Sequence, residues 1–250
     1  MMLHNYRRLF LLIFGFCFAD SVSAQTLGLD LEVALASQSR NDVQIPADTG
    51  TRFSLSDLQK NPSLAYRIYG RLNWGNSSQH EFRVLWAPLK ITVKGNAPKT
   101  IVFRDETFTE GSALTGQYTF NSYRASYIYK FYESASFWMR IGFTGKIRDA
   151  GIKVSSGTQS AERKNVGFVP LLHFSAAWKI SDDARILLDA DALAAPQGRA
   201  EDVLIAYERS FNGFVKTSRI GYRMVEGGAD GGGGVYNFAW IHYAIFSAQF

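Results

Sequence analysis

Beyond residue 24 one signal dominates the chain: apolar and polar residues alternate with period two, segment after segment. In "TLGLDLEVALA", Leu27, Leu29, Leu31, Val33 and Leu35 share one face, while Gly28, Asp30, Glu32, Ala34 and Ala36 share the other. Successive side chains of a strand point to opposite sides, so this segment is a strand with one apolar and one acidic face. "SLAYRIYGRLNW" opposes Leu64, Tyr66, Ile68, Leu72 and Trp74 to Arg67, Tyr69, Arg71 and Asn73. "FWMRIGFTGKIR", "LLHFSAAWKI" and "RILLDADA" repeat the arrangement. No segment after Ala24 has helical period and none is an apolar run of about 18 residues, which excludes a bundle of transmembrane helices.

The pattern predicts ten strands, near 26–37, 63–74, 80–93, 115–132, 137–150, 166–180, 185–195, 200–210, 214–225 and 235–250. Many reach the ~9–11 tilted residues that cross a bilayer. The apolar face changes at Pro88, so a bulge is expected there, and Pro170 is expected near a rim. Short polar turns (75–79, 133–136, 181–184, 211–213) alternate with longer links at 38–62, 94–114, 151–165 and 226–234; "APQGR" (195–199) is the brief exception. Short turns at one end and long loops at the other fit a ten-stranded antiparallel transmembrane β-barrel better than one of eight or twelve strands.

The first 24 residues read as a signal peptide: Arg7 and Arg8, an apolar stretch too short to span a membrane, then a small-x-small site at Val22-Ser23-Ala24. Cleavage of those 24 would leave one domain, residues 25–250. With Arg7, Arg8 and Asp20 removed, the formal charge falls from +5 to +4, and Cys17, the only cysteine, is lost. The remaining Lys and Arg are spread out, which speaks for anionic lipid or lipopolysaccharide as neighbours and against nucleic acid.

Alternation alone fits two barrels, a soluble exported one holding an apolar ligand and a membrane one with the apolar face outward. Aromatic residues favour the membrane form. Trp74, Trp86, Tyr118, Phe120, Tyr129, Phe131, Phe137, Trp178, Tyr236 and Phe250 sit near strand ends, where interfacial girdles would place them. The chain ends on an amphipathic segment carrying Tyr236, Phe238, Trp240, Phe246 and the terminal Phe250, with His242 as an imperfection in its apolar face. In this the sequence resembles Gram-negative outer-membrane β-barrel proteins over residues 25–250. The resemblance implies an outer-membrane location and an assembly signal read by the barrel-assembly machinery.

An apolar exterior leaves the opposite face to build a charged lumen. Its expected members are Asp30, Glu32, Arg67, Arg71, Glu81, Arg83, Arg124, Arg140, Lys146, His173, Lys179, Asp189, Asp191, Glu208, Arg219 and Arg223. Charges of both signs in a narrow barrel should pair, since an unpaired buried charge is costly, so the lumen reads as plugged and salt-bridged. Two catalytic patterns stand beside that reading. Asp189-Ala190-Asp191 resembles the acid pair of omptin-like proteases, which also have ten strands, but no Asp-x-His follows it. His173-Phe174-Ser175 resembles the His-x-Ser of lipid A deacylases, without a suitably spaced downstream Glu; the nearest acids, Asp182 and Asp183, fall in a turn. His80, His173 and His242 lie on separate strands, so neither a metal site nor a cofactor is expected. The glycine-rich "EGGADGGGGV" lacks the lysine and context of a phosphate loop and reads as a loop tip. The expected role is non-enzymatic, as a small pore or a structural or surface-interaction protein, with a barrel enzyme as the alternative.

Overall fold

The computed structural model describes residues 25–195 and 198–250; the expected signal peptide, 1–24, lies outside them. Ten strands form one closed antiparallel barrel. They are β1 (Thr26–Gln44), β2 (Ser63–Trp74), β3 in two halves (His80–Ala87 and Lys90–Asn96), β4 (Ala113–Glu133), β5 (Phe137–Ser156), β6 (Gln159–Lys179), β7 (Ala184–Ala195), β8 (Gly198–Ser210), β9 (Thr217–Asp230) and β10 (Tyr236–Gln249). Each pairs with the next, and β10 returns to β1 in a ladder from Asp30↔Gln249 to Gln44↔Tyr236. Closure pairs the backbone groups of the seam, as an apolar solvent requires.

The exterior carries the apolar half of the alternation. Leu29, Leu31, Val33 and Leu35 on β1, Phe82, Val84 and Trp86 on β3, Ile141 and Phe143 on β5, and Leu172 and Phe174 on β6 are all exposed. Aromatic rings collect at the end where β1 begins and β10 finishes, here the lower end. Trp74 stacks on His80 at 5.4 Å, Phe137 meets Trp178 at 4.9 Å, and Phe214 meets Phe250 at 5.0 Å. Two expected girdle members belong elsewhere: Tyr118 is buried inside the barrel, and Phe120 packs against the inner core. Both share β4's inward parity with Leu114, Ser122 and Arg124.

The upper strands outrun the sequence pattern. The expected loop at 151–165 is instead the top of the β5–β6 hairpin, which turns at Gly157 and Thr158. Likewise β9 runs to Asp230, so the glycine-rich segment shrinks to a tight turn whose Gly234 carbonyl accepts the Ala47 N–H at 3.0 Å. Backbone pairing continues there although the apolar–polar alternation has faded, because ladder bonds do not depend on what the side chains face.

The expected bulge at Pro88 is absent. Pairing with β4 keeps one register on both sides, Ala87↔Ser122 and Lys90↔Thr119, and odd-numbered residues point inward throughout. The apolar face changes because the interior changes: Arg83 meets charge below, while Leu89, Ile91 and Val93 meet a hydrophobic core above. The register shifts instead between Gln38 and Arg40 on β1, and between Lys130 and Tyr132 on β4. The first re-aims β1, so that Asp30 to Gln38 face inward on even numbers, and Asn41 and Val43 on odd ones. Pro170 is not at a rim: it pairs with Gly145 in the middle of β6, two residues beyond Leu172, where the ladder between β6 and β7 stops, so its missing N–H costs no bond to β7.

The upper core is built from loops folded inward. Phe53–Ser54 pairs with β1 above the point where β2 ends, and a 3-10 turn at Ser56–Leu58 follows. Leu55 and Leu58 then pack with Phe103 and Phe108 of the hairpin Ile101–Phe103/Glu106–Phe108, against Leu89, Ile91, Val93 and Val154 of the wall. Two wall glycines make the space: a Cβ on Gly116 would meet Leu55 Cδ2 at 2.6 Å, and one on Gly95 would meet Leu58 Cδ2 at 2.7 Å. A polar hub anchors the loop, with Gln59 Oε1 accepting from the Gln38 backbone N–H at 2.8 Å and from its amide at 3.1 Å. Truncating Leu55 to Ala should lower folding stability by about 2–5 kcal/mol, the usual cost of emptying a packed site. Urea titration of the folded protein in detergent would measure it.

Candidate functional site

Below the apolar core the same inward parity carries charge. Every lumen residue expected from the alternation faces inward except Lys179, which stands at the exposed lower rim and bonds Asp182 at 2.8 Å. That hydrogen bond holds the Asp182 carboxyl below its ordinary pKa. The charges lock into shared clusters. Asp202 on β8 accepts Arg67 at 2.8 Å, Arg124 at 2.6 Å and Arg223 at 2.5 Å, joining β2, β4 and β9 across the lumen. Glu81 on β3 accepts Arg71 at 3.1 Å, Arg83 at 2.6 Å and Arg140 at 2.7 Å. Asp30 pairs with Arg71 at 3.0 Å and with Arg219, which also reaches Glu208 at 2.5 Å; Arg185 shares Glu208. Glu32 accepts Arg223 at 2.8 Å, and Tyr69 Oη accepts the same guanidinium at 3.1 Å.

The exception among the cations is Lys146. It is buried, its ammonium lies 4.5 Å from the Phe120 ring centroid, and among the described residues no carboxylate is within salt-bridge range.

Asp202, absent from the expected set, is a central member. It sits at the same parity on β8 as Glu208, and that parity was the signal available for it. Its neighbour Glu201, on the opposite face, blurred the alternation.

His173 and Ser175 are both buried in the lumen. Ser175 Oγ lies 3.2 Å from His173 Nε2, and His173 Nδ1 lies 2.8 Å from Asp191 Oδ1. Asp191 is held in turn by Thr144 Oγ1 at 3.0 Å and Arg124 at 2.7 Å. The acid that no downstream spacing supplied is thus directly across the ladder, in the pair His173↔Asp191 of β6 and β7. The row Ser–His–Asp has the connectivity of a nucleophilic triad. Asp189 is tied to Arg83 at 3.0 Å, inside the lumen and away from the loop-bearing end, so Asp189 and Asp191 do not form a water-holding acid pair at the upper rim.

One cavity of about 160 Å³ opens in the lower half of the lumen. Six arginines (Arg71, Arg83, Arg140, Arg185, Arg219, Arg223) and four carboxylates (Glu32, Glu81, Asp189, Glu208) line it, with Ser175 in its wall and Asn73, Ser78, Trp138 and Gln249 toward the mouth.

The three residues expected to carry an assembly signal lie at the seam. Phe246 is exposed on β10, and Trp240 packs beside Phe238 at 6.2 Å. The Phe250 backbone N–H donates to Leu29 O at 2.8 Å, and its carbonyl accepts the Leu29 N–H at 3.3 Å. His242, the imperfection, is bonded to Tyr222 Oη at 2.5 Å and Ser39 Oγ at 2.6 Å.

No family model matches the chain, and no curated protein matches its sequence. Solved structures do resemble it. The outer membrane protease OmpT from Escherichia coli aligns with a TM-score of 0.50 at 10% identity, covering 93% of this chain and 99% of that one. Ail, the attachment invasion locus protein of Yersinia pestis, gives 0.35 at 11% identity over 89% and 98% of the two chains. An outer membrane channel from Pseudomonas putida F1 gives 0.37 at 6% identity over 93% and 97%. At such identities the likeness concerns the fold alone: this chain has the fold of a Gram-negative outer-membrane β-barrel.

Because Asp202 neutralises three buried arginines at once, Asp202→Asn should destabilise the barrel by about 3–5 kcal/mol, the usual cost of breaking a buried pair. Glu201→Gln beside it should stay within about 0.5 kcal/mol, as surface changes do. The temperature at which the folded form converts to the slower or faster unfolded band on a detergent gel compares the two.

Proposed function

We propose that this protein is a closed outer-membrane barrel with a non-enzymatic role, structural or in surface interaction, carried by the end that bears the long loops. The observation carrying this reading is the filling of the lumen in two layers. Loop residues Leu55, Leu58, Phe103 and Phe108 occupy the upper part, and the Asp202 and Glu81 clusters cross-link the part below. Barrels that conduct freely keep a continuous aqueous channel and generally use more strands. On this reading the chain is exported through a cleaved signal peptide. Outer-membrane lipid and lipopolysaccharide surround its apolar band, and the barrel-assembly machinery recognises the strand ending at Phe250. Planar bilayers containing the folded protein are expected to show no discrete conductance steps; regular steps accompanying insertion would overturn the closed-barrel reading.

The Ser175–His173–Asp191 row supports a second reading, a barrel hydrolase. Against it, Ser175 is only 1% exposed, and His173 is locked between Asp191 and Ser175. The folded protein is therefore expected to leave a fluorophosphonate probe unreacted. Labelling of the wild type that disappears in Ser175→Ala would replace the first reading with the second.

A further inference from the structure

The charges of the lumen do not cancel. Among the described residues, nine cations of its linked clusters and Lys146's surroundings (Arg67, Arg71, Arg83, Arg124, Arg140, Lys146, Arg185, Arg219, Arg223) face seven carboxylates (Asp30, Glu32, Glu81, Asp189, Asp191, Asp202, Glu208), while Lys130 near the rim is paired separately with Glu133. Within these clusters the cations thus outnumber the acids by two, and such an excess favours an anionic partner. One surplus charge belongs to Lys146, under the apolar core. The other can be located from the sharing pattern at the mouth of the lower cavity.

Arg140 has one carboxylate, Glu81, which already serves Arg71 and Arg83. Arg185 likewise has one, Glu208, which also serves Arg219. The other arginines of these two clusters have second acids, Asp30 for Arg71 and Arg219 and Asp189 for Arg83. Arg140 and Arg185 are thus the least neutralised guanidiniums in the cavity. Both face one ring, at 4.6 Å and 5.8 Å from the Trp138 centroid. Among the described residues, the Nε atoms of Arg140 and Arg71 are buried without a hydrogen-bond partner.

The geometry points to a binding site for a small phosphate-bearing anion at the lower mouth of the lumen, held by Arg140 and Arg185 beside Trp138. Guanidinium forks match phosphate oxygens in pairs, and this favours a tetrahedral oxyanion over chloride. The cavity, about 160 Å³, has room for a phosphate bearing a small substituent. The site opens at the lower end, opposite the long loops. It is independent of whether the loop-bearing end binds anything.

Calorimetric titration of the folded barrel in detergent, with inorganic phosphate in one arm and glycerol 3-phosphate in the other, tests the inference. Matched ionic strength in sodium chloride is the reference. Saturable binding is expected in at least one arm, and which arm is tighter tells free phosphate from a phosphate ester. Arg140→Gln should weaken it at least tenfold and Arg185→Gln measurably. Trp138→Phe should keep binding while removing part of the fluorescence change that accompanies it. Each variant is first checked for its folded mobility on an unboiled gel. If Arg140→Gln does not fold, Arg140→Lys keeps the charge, loses the fork, and should still bind several-fold more weakly. No saturable binding by the folded wild type, or undiminished binding by a folded Arg140 variant, would overturn the inference.

Discussion

The membrane-spanning part of this barrel depends on the sharing of buried carboxylates by arginines. With the apolar residues on the outside, lipid is as good a surrounding for Leu, Val and Phe as another side chain would be. Burial therefore does not hold these strands against one another as it does in a water-soluble protein. The ladders supply local pairing. What ties one side of the barrel to the other is Asp202 accepting three guanidiniums, and Glu81 accepting three more. The arrangement is unforgiving, since each of these carboxylates removed takes an acid from three arginines at once. It is also specific, because a strand that slipped by one residue would send its charges into lipid and its leucines into the lumen.

Higher up the logic inverts. The outward face loses its apolar character, and an ordinary hydrophobic core takes over inside, made of loop residues that fold back between the strands. The transition costs little regular structure. β3 crosses it with no change of register at Pro88, and β1 crosses it with a single shift after Gln38. Gly95 and Gly116 leave the hollows into which Leu58 and Leu55 fit, so the wall and the plug were shaped together. One closed sheet thus carries two interiors of opposite chemistry.

The two ends are therefore unequal. The upper end is sealed by an apolar layer and presents loops. The lower end opens into a polar cavity where arginines outnumber acids and where Ser175 forms part of the wall. The Ser–His–Asp row shows why geometry must be weighed with access: its distances suit proton transfer, while Ser175 itself is almost wholly enclosed.

Much of the architecture was legible in the order of residues alone. Period-two alternation exposes strand number, antiparallel order and the inward set, because a strand's side chains obey a strict two-residue rule wherever its two faces meet different solvents. That is why Asp30, Arg67, Arg124 and Arg223 could be placed without coordinates. The rule fails where the contrast between faces fades. The tops of β5, β6 and β9 read as loops, Tyr118 and Phe120 read as girdle residues, and Pro88 read as a bulge, all for that one reason. The partners were beyond reach for a different reason. Arg223 meets Glu32 across 191 positions of sequence, and His173 meets Asp191 only through the register of β6 on β7. Alternation says which way a side chain points, whereas closure of the barrel, a long-range event, decides what it meets there.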